Sequence, residues 1–161
     1  MTQTSGGESA APLLPRWAEL PDLALYMDQV LALMARYLEP CPGTDVKGLT
    51  ASMVNNYVKQ GVLPPPVKKR YGREHLATLV MICLLKPILP IATIRKLLDV
   101  QLRGESLEGC YDAFCALFEQ TGRTVSARAE GETPAEARIL RAALKAQAEQ
   151  ALALRLFSAL E

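Results

Sequence analysis

Apolar residues recur at three- and four-residue spacing along most of the chain, which is the signature of helices packed by one face. Leu23, Tyr26, Met27, Val30, Leu31, Met34 and Leu38 predict a first helix over residues 22–38, opened after Pro21 by Asp22. Val54, Tyr57, Val58 and Gly61 fall at i, i+3, i+4 and i+7 and predict a second, of about three turns, over 50–60. Thr50 is its N-cap and Gly61 its stop. Residues 73–86, with LATLVMICLL, are apolar nearly all round and predict the central buried helix. Pro87 and Pro90 bracket its end, and Ile91, Ile94, Leu97 and Leu98 predict a short helix ending near Val100. Leu107, Cys110, Tyr111, Phe114, Leu117 and Phe118 predict a helix over 106–121, stopped by Gly122. After a polar linker, Thr133-Pro134-Ala135-Glu136 forms a capping box for a long helix over 134–160. Leu140, Leu144, Ala148, Ala151, Leu152, Leu156 and Phe157 keep one side of it apolar, so it should pack on 106–121 as a helical hairpin or pair with its copy.

The polar positions change that picture at two places. Opposite its apolar face, the 50–60 helix carries Ser52, Asn55, Asn56 and Lys59. Pro64, Pro65 and Pro66 then forbid helix, and residues 67–72 read as a short strand or hairpin arm with Lys68, Lys69 and Arg70 in a row. Three adjacent cations cannot all be buried, so they face solvent or an anionic partner. The segment EPCPGTDVKG, residues 39–48, is turn-rich and longer than the three or four residues of a standard helix-turn-helix connection. Residues 1–19 are expected to be a flexible tail.

Charge sharpens this reading. The chain of 161 residues has a net charge of only +1, but residues 47–103 hold ten Lys/Arg against Glu74 and Asp99, a net +8 between acidic flanks. A basic middle of this kind is the footprint of a nucleic-acid-binding module. Cys41, Cys83, Cys110 and Cys115 lack metal-ligand spacing and only His75 could join them, so no metal or cofactor is expected and the thiols should be reduced. No nucleophile–base pair or phosphate loop points to an enzyme, and no catalytic residue is assigned. The longest apolar run, about ten residues, is half the roughly 20 that span a bilayer. With no signal-peptide pattern, a cytoplasmic protein without membrane contact is expected.

The run ASMVNNYVKQGVLPPPVKKRYGREHLATLVMICLLKPILPIATIRKLL resembles the winged-helix DNA-binding domain of MerR-type bacterial regulators. With the upstream PDLALYMDQV it looks more closely like a small bacterial domain of unknown function, number 1836, regarded as MerR-like. The resemblance covers about residues 20–100. It places Asn55 and Asn56 where such helices carry DNA-facing residues, Val54 at a core position, residues 61–64 at the turn, and Tyr71 at the end of the wing. It implies a mainly α fold: a winged helix-turn-helix (MerR-like) domain over 20–103 with a short β-wing, plus a C-terminal helical hairpin over 104–161 that dimerises or regulates.

The expectation is a DNA-binding transcriptional regulator, homodimeric through its C-terminal helices and with no assigned effector. Ser52, Asn55, Asn56 and Lys59 read double-stranded DNA, and Lys68, Lys69, Arg70 and Arg73 grip phosphates. The alternative is an adaptor of the same fold that binds an acidic protein.

Overall fold

The computed structural model describes residues 13–41, 43, 48–128 and 134–160. These residues are mainly α-helical, with six helices and no strand among them: α1 (Met27–Leu38), α2 (Ala51–Lys59), α3 (Arg73–Leu85), α4 (Ile91–Gln101), α5 (Leu107–Ala127) and α6 (Ala135–Ser158). The capping Thr133 and most of segment 39–48 lie outside the described residues.

The order of assembly follows from α3. Its residues from His75 to Ile82 are all buried, because a sequence apolar nearly all round has no face to offer water and the polar His75 and Thr78 are hydrogen-bonded. Burying each of its large side chains stabilises by roughly 1.5–3 kcal/mol, and no other helix among the described residues buries as many. The apolar stripes of α1, α4 and α5 pack directly on it, and α2 packs on α1. Val30, Met34 and Leu38 of α1, Val54 and Tyr57 of α2, Ile94 and Leu98 of α4, and Tyr111 and Cys115 of α5 join a single core cluster. Thus α5, which the sequence groups with a C-terminal part, fills the same core as the helices before it.

Several expectations are corrected. The first helix starts at Met27, not at Asp22, because Leu25 is extended and exchanges both backbone hydrogen bonds with Tyr71, at 2.8 and 2.9 Å. Gln29 Oε1, not Asp22, accepts from the helix-opening amide of Tyr26 at 2.9 Å. Residues 14–20, assigned largely to a flexible tail, are seated on α5. Leu14 and Leu20 are buried, Tyr111 Oη donates to Pro15 O at 2.7 Å, the Trp17 amide donates to Asp112 Oδ1 at 2.8 Å, and Arg16 pairs with the buried Glu119 at 2.8 Å. Gly122 does not stop α5, which runs on to Ala127.

The close α5–α6 hairpin is not built. No residue of α6 is buried. It reaches the rest of the fold through Ala153, through Gln150 Nε2 donating to Ile88 O at 2.7 Å, and through Phe157, whose ring lies 5.9 Å from Lys96 Nζ. Its Ile139, Leu140, Leu144 and Leu156 are each about two-thirds exposed (60–69%).

Candidate nucleic-acid interface

The candidate interface is built on α2 and the turn that follows it. Thr50 Oγ1 accepts from the Met53 amide at 3.2 Å, which fixes the start of the helix. Val54, fully buried, and Tyr57, 3% exposed, hold its inner face on the core. The 100° rotation per residue then puts Ser52, Asn55, Asn56 and Lys59 on the outer face, all exposed. With Met53 these four line one shallow surface concavity. The sequence-predicted reading residues are therefore brought together.

The end of α2 is equally determined. Gly61 has φ +70°, and the amides of Gly61 and Val62 donate to Val58 O and Tyr57 O at 3.0 and 3.1 Å, which is a Schellman closure. A Cβ here would be strained by the positive φ and would sit 3.2 Å from the Arg95 guanidinium. Arg95 Nη1 donates to Gln60 O at 3.0 Å, so a cation from α4 stands at the negative end of the α2 dipole. Sequence reasoning missed Arg95, whose only signal was membership of the basic middle.

The expected β-wing is replaced by a minimal hairpin. Val67 and Arg70 exchange both backbone hydrogen bonds at 2.9 Å around a two-residue turn. The ladder goes no further toward residue 64 because Pro64, Pro65 and Pro66 have no N–H to donate. Lys68 and Lys69 form the turn with φ +50° and +62°. Two positive φ values are the type I′ geometry, which favours Asn-Gly and disfavours side chains with a bulky Cβ. Both lysines are exposed, and with Lys59 they have no hydrogen bond or ion pair to any described residue.

Two of the predicted phosphate ligands are otherwise engaged. The Arg70 guanidinium lies 4.0 Å above the Tyr26 ring, bonds the Tyr26 hydroxyl, and reaches Ala24 O at 3.5 Å. Arg73 Nε donates to Leu20 O at 3.1 Å, with its guanidinium 5.8 Å from the Trp17 ring. These arginines tie the turn and α3 to the N-terminal segment. Their partners are 44 or more residues away, beyond the reach of local pattern.

His75 completes the anchoring. Its ring is 2% exposed, Nδ1 accepts from the Gly72 amide at 2.9 Å, and Nε2–H donates to Pro65 O at 3.1 Å. Both ring nitrogens are used, and the ring also packs edge-on against Tyr71 at 5.3 Å. It is therefore a strut between α3 and the proline segment. Replacing His75 by Ala should lower stability by about 2–3 kcal/mol, through a new cavity and an unpaired Pro65 carbonyl. The shift of the urea midpoint measures this.

Among the described residues no cluster of His, Cys, Asp and Glu could hold a metal ion, and no helix is long and apolar enough to cross a membrane. All four cysteines are free thiols, and burial pushes the Cys83 thiol up to about 11, keeping it neutral. Residues 15–114 match the family described as "Domain of unknown function (DUF1836)". No curated protein and no solved structure matches the chain.

Proposed function

The chain belongs to the DUF1836 family, whose description carries no activity, and from its own geometry we propose that it is a DNA-binding transcriptional regulator of winged helix-turn-helix, MerR-like type. The helix α2 enters a major groove, which is wide enough to admit one α-helix. Asn55 and Asn56 read base edges, Ser52 and Lys59 flank them, and the Lys68–Lys69 turn grips the neighbouring backbone. Asparagine suits the reading role because its amide can donate to and accept from adenine at once. Arg95, beside the end of α2, adds a further phosphate contact.

The observation that carries this reading is the Lys68–Lys69 pair. Local stability calls for Asn-Gly at those two positive-φ positions. The chain instead holds two unpaired lysines there at a conformational cost, which is the pattern of a residue kept for what it binds. The exposed leucines of α6 fit a second copy of this chain, so the regulator is a homodimer through α6 and its operator is two-fold symmetric.

Selection from a random pool of duplex DNA tests the proposal. The protein should enrich one short, two-fold symmetric motif containing adenines. The Asn55→Ala/Asn56→Ala variant should still bind DNA but lose about 1–3 kcal/mol of discrimination at each adenine it no longer reads. Recovery of an acidic protein with no enriched DNA would point to the adaptor instead.

A further inference from the structure

Behind the inner face of α2 lies a cavity of about 380 Å³, within the range of small-molecule pockets. Met34 and Leu38 of α1, Met53 and Tyr57 of α2, and Cys83 and Lys86 at the end of α3 line it. Leu49 and Pro87 extend the apolar part of the described wall, and Tyr57 and Lys86 bring polar groups to it. Tyr57 is 3% exposed, and its hydroxyl is the one buried side-chain polar atom without a hydrogen-bond partner among the described residues. Buried hydroxyls are nearly always paired, so this one calls for a partner that the described residues do not supply. Lys86 Nζ lies over the face of the same ring, 5.4 Å from its centre, so the cavity that holds the unpaired hydroxyl is also lined by a cation.

We propose that this cavity binds a small monocarboxylate with an apolar body, its carboxylate accepting a hydrogen bond from Tyr57 Oη and pairing with the Lys86 ammonium. The apolar body, an alkyl chain or single ring, packs against Leu38 and against Met34 and Met53, whose flexible thioethers adapt to its shape. The neutral Cys83 thiol adds apolar surface and no competing charge. Nothing in this site depends on the DNA reading, although the helix that forms its wall carries Asn55 and Asn56 on the opposite face.

The test is a titration of the full chain, without DNA, followed through the methionine methyl NMR signals. The probes are hexanoate and 4-phenylbutyrate, with 4-phenylbutan-1-ol as the neutral counterpart. At least one carboxylate should shift the Met34 and Met53 methyls saturably, and the alcohol should bind about tenfold more weakly, since charge-assisted hydrogen bonds are the stronger ones. Tyr57→Phe keeps the buried ring, and Lys86→Gln alters an exposed side chain, so both should fold. Each should weaken carboxylate binding by about five- to tenfold. Absence of any saturable shift up to about 10 mM, well above a millimolar Kd, would overturn the site. So would unchanged carboxylate affinity in both variants.

Discussion

Replacing Lys68 by Asn and Lys69 by Gly together is expected to make the protein more stable and a weaker DNA binder. The two residues occupy a type I′ turn at φ +50° and +62°, where an ordinary L residue costs roughly 1 kcal/mol or more and Asn-Gly costs little. The stability gain is therefore about 1–2 kcal/mol, visible as a higher denaturation midpoint. The same change removes two unpaired cations from the exposed tip. If each neutralises one phosphate, the slope of log K against log salt becomes shallower by about 2, and affinity at about 0.15 M salt falls on the order of tenfold or more for every sequence alike. The opposite signs matter. A destabilised variant loses binding for trivial reasons, whereas this one should fold better while binding worse.

The second large effect is on folding. Tyr111→Ala should cost about 3–5 kcal/mol, a substantial part of the 5–15 kcal/mol available to a typical domain. Tyr111 is fully buried in α5, meets the Trp17 ring edge-on at 6.5 Å and donates its hydroxyl to Pro15 O. Burial also holds its phenol well above the ordinary tyrosine range, so it stays neutral and serves as a donor. The residue thus joins the N-terminal segment, α5 and α3 in one cooperative unit. Urea denaturation followed by circular dichroism should show a single transition at lower urea for Tyr111→Ala. Tyr111→Phe should shift it less, by the roughly 1–3 kcal/mol of an unpaired Pro15 carbonyl. An unchanged midpoint would mean that α5 is only loosely attached.

These two regions also show what sequence can and cannot disclose. The helix α3 was legible because a run apolar on all sides has one physical outcome, burial. The bounds of α2 were legible because Thr50 and Gly61 act through bonds within a few residues. What depended on distant partners was not. The stripe from Leu23 to Leu38 reads as one helix, but Leu25 pairs with Tyr71 and keeps the chain extended up to Tyr26. Arg70 and Arg73 look like free cations until Tyr26, Leu20 and Trp17 are brought beside them. Gly122 looks like a stop, yet its cost of about 1 kcal/mol is absorbed within a 21-residue helix. The leucines of α6 are spaced for packing, but spacing does not say against what, and within this chain they remain exposed. For the candidate site, the polar face of α2 and the lysine turn were visible in the pattern. The strain in the turn and the Arg95 contact with α2 were not.

The most direct measurement is fluorescence anisotropy of a labelled duplex DNA titrated with the protein between about 0.05 and 0.2 M salt. If Lys59, Lys68, Lys69 and Arg95 each release one counterion, log K should fall linearly with log salt, with a slope of about −3.5 per protomer. A flat salt dependence, or no binding at the lowest salt, would contradict DNA binding by α2 and the lysine turn.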